Sequence, residues 1–112
     1  MDDAWTQLHA DGAAMDSLII SRQAGYPGLF AMQWLDDAVK QHATHILLAP
    51  AHAQLYCADQ PVGMIFPFND ARLYPAIRQG FDQVLALYPQ LARWVGQEEG
   101  HDQICYRILR DA

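Results

Sequence analysis

Apolar positions recur at helical spacing over the first part of the chain. Trp5, Leu8, Met15, Leu18 and Ile19 predict a helical segment over residues 1–24, interrupted near Asp11-Gly12. Gly25-Tyr26-Pro27-Gly28 breaks the pattern, since glycine and proline both punctuate regular structure there. A second helix is predicted from Leu29 to His42. Phe30, Trp34, Leu35, Ala38 and Val39 make a broad apolar stripe, and Asp36, Asp37, Lys40 and Gln41 take the other side. After His42 the period shortens. Thr44 to Ala49 is nearly all apolar and β-rich, which predicts a central strand. Gln54 to Ala58 and Val62 to Phe68 predict two more strands, separated by turns at Pro50-Ala51-His52 and Asp59-Gln60-Pro61. Pro67 belongs at the end of its strand or on a sheet edge.

Asn69-Asp70 offers a cap for the next helix, predicted to become regular with Pro75 in its first turn. Ile77, Phe81, Val84, Leu85 and Tyr88 line one face, and Pro89 ends it. Gln90 to Val95 reads as a short helical piece, Gly96 to Gly100 as a polar loop, and Gln103 to Leu109 as the last strand. Short links between consecutive strands require antiparallel pairing. The fold class expected is therefore α+β in the order α-α-β-β-β-α-β: an antiparallel sheet of about four strands with helices on one face.

The chain has 112 residues, which suits one domain with one core, made of the helical segment 1–24 and an α+β core over 29–112. Hydrophobic residues are 52% and charged residues only 18%, so disorder is not expected and some apolar surface is left for a partner. The net charge of −6 is uneven. Asp2, Asp3, Asp11, Asp16, Asp36 and Asp37 face only Arg22 in the front segment, whereas acids and arginines balance from Arg72 onward. An acidic front argues against nucleic acid and anionic membrane surfaces, which need a cationic face, and suits a basic protein surface. No run of about 20 apolar residues is present, so membrane insertion is not expected. The acidic start MDDAWTQ lacks the apolar core of a signal peptide, and the cytoplasm is the expected location. Cys57 and Cys105 lie far apart without a CxxC spacing and read as free thiols, although a bridge between neighbouring strands stays open. A homodimer is compatible with all of this.

The stretch Ala43-Thr44-His45-Ile46-Leu47-Leu48-Ala49-Pro50, following the helix WLDDAVKQH, resembles a pattern in the small domain that precedes the motor domain of secretion and pilus ATPases of the GspE/PilT type. There a helix leads into A-S-D-I-H-I-E-P, and a second strand reads roughly R-x-R-x-D-G-V-L. Here Ala43, Ile46, Pro50 and Asp59 match structural letters of that pattern. The charged letters do not match: His45 stands for its Asp, Leu47 for its His, Ala49 for its Glu and Gln60 for its turn Gly. The resemblance covers about Trp34 to Tyr88, and no Walker A loop is present. It implies a non-enzymatic adaptor or regulator of a secretion or pilus-type assembly.

Four candidate chemistries follow from the residues. A partner-binding surface would use the acidic pair Asp36 and Asp37 with turn aromatics Tyr26, Phe66 and Phe68, since aromatics beside turns make good anchors. His42, His45 and His52 are weak metal-ligand candidates whose spacing matches no recognised pattern, so no metal or cofactor is assigned. Cys57 with His45 or His52 could form a thiol and base, which makes a small His/Cys enzyme a third reading. Glu98, Glu99, His101 and Asp102 read as a solvated polar loop, with acid–base work as the sharper alternative. No catalytic residue is assigned. The functional expectation is a protein-interaction domain; the alternative is a small acidic inhibitor or immunity-type protein that binds a basic enzyme.

Overall fold

The structure is a computed structural model that describes residues 3–109, and side chains from Thr6 onward apart from that of Met64. The expected contact of Trp5 and the charges of Asp2 and Asp3 lie outside those described side chains. Two helices, α1 (Asp3–Ala13) and α2 (Ser17–Lys40), lead into strands β1 (His45–Leu48), β2 (His52–Cys57) and β3 (Gln60–Pro67). Helices α3 (Leu73–Leu87) and α4 (Pro89–Ala92) follow, then strands β4 (Val95–Gly100) and β5 (Gln103–Ile108). The α+β class and the antiparallel sheet are as expected, but the sheet has five strands in the order β3-β2-β1-β5-β4.

The additional strand is β4, expected to be loop. Its sequence VGQEEG buries only Val95, so it carries no alternating apolar signal. It forms because it lies against β5 in continuous antiparallel register, from Val95 opposite Ile108 to Gly100 opposite Gln103. The other boundaries move by small steps. The turn between β2 and β3 is Ala58-Asp59 rather than Asp59-Gln60-Pro61, with Ala58 held at φ 57.

The helical break points move as well. Helix α1 runs through Asp11-Gly12 to Ala13, and α2 starts only at Ser17. Asp16 caps α2: its Oδ1 accepts from the N–H groups of Leu18 (2.9 Å) and Ile19 (3.3 Å). Asp11 instead accepts from the indole N–H of Trp94, tying α1 to the segment before β4. The predicted break at Gly25 is real in backbone terms. Gly25 sits at φ 63, ψ −158, which a residue with a Cβ rarely adopts, so α2 is two helical segments joined at a kink. Pro27 then falls in the first turn of the second segment, where a missing N–H costs nothing.

That second segment crosses α3 at very close range. A Cβ on Gly80 would lie 2.4 Å from the carbonyl oxygen of Pro27 and 2.9 Å from the nitrogen of Gly28. A Cβ on Gly28 would lie 2.4 Å from the Cβ of Ala24. Gly80 therefore lets the α3 backbone meet that of α2, while Gly28 leaves room for Ala24 and Ile20 of the first α2 segment, and the large side chains on either side close over the core.

The helices cover one face of the sheet. Ile46 and Leu48 of β1, Ala53 and Leu55 of β2, and Ile104, Tyr106 and Ile108 of β5 are buried there against Ile20, Ala31, Trp34, Ile77, Phe81 and Val84. Phe81 stacks on Tyr106 at 4.0 Å between ring centroids and on Trp34 at 6.2 Å. The Tyr106 hydroxyl is buried with no hydrogen-bond partner among the described residues, and burial raises its pKa well above the usual tyrosine range.

Gly80→Ala is expected to lower stability by about 1–3 kcal/mol, because the obstacle is backbone and not a movable side chain. Gly12→Ala, whose new methyl meets only the end of Met15 at 3.8 Å, should leave stability unchanged or raise it. Urea unfolding of both variants checks this; equal stability of the two would refute the close crossing.

Candidate functional site

The rings that fill the core continue outward to the surface. Trp34 is buried, and Phe66 packs against it edge-on at 5.6 Å. Phe66 also meets Phe30 at 5.5 Å, and Phe30 meets Tyr26 at 6.1 Å. Tyr26 and Phe66 keep 54% and 42% of their surface exposed. They end a run of aromatic contacts that starts at Tyr106 in the centre of the sheet. Phe68 lies 6.3 Å from Trp34 but is half-buried, so it supports the patch more than it presents it.

Between α2 and β3 this patch borders a groove of about 320 Å³. Trp34, Leu55, Val62 and Phe66 supply apolar wall, and Gln33 and Asp37 supply polar groups from α2. Helical spacing explains the set: 33, 34, 37 and 41 share one side of α2, with Trp34 turned to the core and Asp37 at the rim. Asp37 accepts a long hydrogen bond from Gln33 Nε2 (3.4 Å). Asp36 faces elsewhere: it pairs with Lys40 at 2.9 Å, raising the lysine pKa, and borders α1. The acidic pair of the sequence is thus divided, and only Asp37 joins the aromatics. The space beneath α1 beside Asp36 is about 10 Å³, room for a water at most.

The histidines do not converge. His45 and His52 sit at opposite ends of the β1–β2 pairing, where His45 faces Tyr56 and Leu48 faces Ala53. Among the described residues, no group of three or more His, Cys, Asp or Glu is placed to hold a metal ion. His42 has a conformational role. It lies at φ 53 just past the end of α2, and its N–H donates to Val39 O (3.2 Å) while that of Ala43 donates to Ala38 O (2.9 Å). This is the Schellman closure of a helix, with His42 at the left-handed position glycine usually takes.

His45 stacks on Tyr56 with ring centroids 5.2 Å apart and planes 9° from parallel. Its Nδ1 lies 3.0 Å from the Thr44 hydroxyl, which donates to Tyr56 O (3.1 Å) and accepts from Ala58 N (2.9 Å). Burial, helped by Arg107 on the neighbouring strand, lowers the His45 pKa. Cys57 alternates to the face opposite Tyr56 and therefore opposite His45, so no thiol–imidazole pair forms. Cys57 and Cys105 are both free thiols; burial raises the pKa of Cys105.

The polar cluster Glu98, Glu99, His101, Asp102 is also split. Glu98 forms a two-pronged pair with Arg107 (both contacts 3.0 Å), and Glu99 pairs with Arg78 of α3. Each arginine pulls its partner's carboxyl below the usual range. Two carboxylates on opposite faces, each engaged by an arginine, do not form an acid–base pair. No helix in the described residues is long and apolar enough to cross a membrane. Comparison with protein families, with curated proteins and with solved structures finds no match to this chain.

Two outcomes follow. A histidine whose pKa is lowered by folding leaves the folded state short of a proton that the unfolded chain takes up. Stability should therefore fall as pH drops below 6.5, and His45→Asn should remove that part of the slope; urea unfolding from pH 7.5 to 5.5 reads it. An identical slope in the variant would refute the assignment. His42→Gly should be more stable than His42→Ala by about 0.5–1 kcal/mol, since these two variants differ in the left-handed strain; an unfolding midpoint of the glycine variant at or below that of the alanine variant would count against it.

Proposed function

We propose that this chain is a non-enzymatic protein-interaction module that docks a basic protein surface on the Tyr26–Phe66 patch and the groove beside Asp37. One observation carries the reading: exposed aromatic rings continuous with the core border a groove with a carboxylate on its rim. Rigid aromatic anchors backed by the core lose little entropy on binding. A lysine or arginine arriving there gains both the carboxylate and the ring faces. The net charge of −6 adds long-range attraction for such a partner.

The setting we propose is a secretion or pilus-type assembly in the cytoplasm, on the strength of the resemblance over Ala43–Pro50 and of two free thiols, which suit a reducing compartment. The acidic inhibitor reading uses the same surface and differs only in the identity of the partner.

The test is capture of a basic partner from host extract, followed by titration with the purified pair. Phe66→Ala and Asp37→Lys should each weaken binding roughly tenfold or more, with the circular dichroism spectrum unchanged. Asp36→Asn, whose carboxylate lies away from the groove, should bind like the parent. Undiminished binding by both groove variants would overturn the assignment.

A further inference from the structure

The two edges of the sheet differ. In the β3 edge, the Phe68 N–H donates inward to Ala51 O (2.8 Å), and the Tyr56 carbonyl turns away from β3 to accept from Thr44 N (2.7 Å). By the alternation of an antiparallel ladder, Pro67 and Pro61 then hold the outward-facing positions. Proline has no N–H to offer, so this edge lacks an outward donor near both its ends.

The β4 edge has no proline. Leu109 N donates to Trp94 O (2.7 Å), which places Trp94, Gly96, Glu98 and Gly100 as the residues bonded to β5. Val95, Gln97 and Glu99 then turn their N–H and C=O groups outward. The side chains from Gln97 to Gly100 are exposed, and among the described residues no backbone bond takes up these outward groups.

The geometry points to a second copy of this chain as the occupant, added antiparallel at β4 about a twofold axis through Gln97. That register alone lets Val95, Gln97 and Glu99 all exchange backbone bonds, with Gln97 opposite Gln97 and Val95 opposite Glu99. It also sets Glu98 opposite Gly96, so no carboxylate faces another across the join. A shift of two residues toward the turn sets Glu99 against Gln97, drops Val95 from the ladder and puts Glu98 directly opposite Glu98, which is unfavourable. The carboxylates that would otherwise guard this edge are engaged by Arg107 and Arg78 within the chain. The join makes one continuous sheet from two and leaves the Tyr26–Phe66 patch outside it, at the far edge. This proposal does not rest on the partner-binding reading.

The test is molar mass by light scattering across a concentration series of the whole chain. A dimer is expected. Gln97→Lys sets like charges opposite at the axis, and Gln97→Pro deletes an outward N–H while keeping every bond to β5. Each should raise the dissociation constant roughly tenfold or more, whereas Phe66→Ala should not change it. Gln97→Cys in a Cys57→Ser, Cys105→Ser background should cross-link on mild oxidation, since directly opposed bonded residues have the Cα separation a disulfide needs; Glu98→Cys in that background should not. A monomer at all concentrations overturns the proposal. So does a dimer that Phe66→Ala dissociates, or one in which Gln97→Cys fails to cross-link.

Discussion

The whole arrangement depends on the crossing of α2 and α3 at Gly28 and Gly80. With backbone against backbone there, Phe81 can stack on both Trp34 and Tyr106. A wider crossing would leave gaps beside these flat rings, and each gap would forfeit dispersion contacts that are individually tiny and collectively large. The kink at Gly25 serves the same end: it lets the second half of α2 turn onto α3 while Asp16 still caps the first half. That cap is itself held, because Asp16 N donates to the Tyr88 hydroxyl (2.9 Å) at the end of α3. The helical layer is thus fastened at the crossing and again where α2 begins.

The surface patch is a consequence of this packing. Once Trp34 is fixed under the crossing, Phe30, one turn before it, and Phe66 on β3 have a rigid ring to lean on. Gln54 secures β3 from below. Its side-chain amide donates to Val62 O (3.1 Å) at the irregularity where β3 departs from regular pairing, so a buried polar group is satisfied and the bulge is pinned. The exposed ring of Phe66 therefore leans on a buried ring and sits on a strand that is hydrogen-bonded beside it.

Much of the architecture was legible in the sequence because it rests on periodic burial. The stripe from Phe30 to Val39, the apolar run at β1 and the alternation of Ile104, Tyr106 and Ile108 each report a face turned to the core. Strand β4 was not legible, for the converse reason: its residues after Val95 bury almost nothing, and its register comes from β5 and a two-residue turn at His101-Asp102. The candidate site was half legible. Tyr26 and Phe66 announced themselves beside Gly and Pro, but Trp34, Phe30 and the separation of Asp36 from Asp37 depend on which way α2 is rotated. His42 misled because a residue type rich in chemistry occupies a position whose demand is conformational, and no spacing rule marks a left-handed residue that is not glycine.

The unequal edges give that invisible strand its meaning. An edge strand carries unpaired backbone groups whatever its side chains are, so a sheet must close each edge by chemistry or by a neighbour. Here β3 carries prolines near both ends, where outward N–H groups would stand, and the same strand supplies Phe66 to the aromatic patch. A further strand there would compete with any ligand in the adjoining groove. At β4 the prolines are missing: arginines from β5 and α3 engage the two exposed carboxylates, and in the proposed join Gly96 stands opposite Glu98. Gln97, the residue that would sit on the proposed axis, is neither proline nor charged, so the β4 edge keeps an outward N–H there, as the β3 edge does not at Pro61 and Pro67.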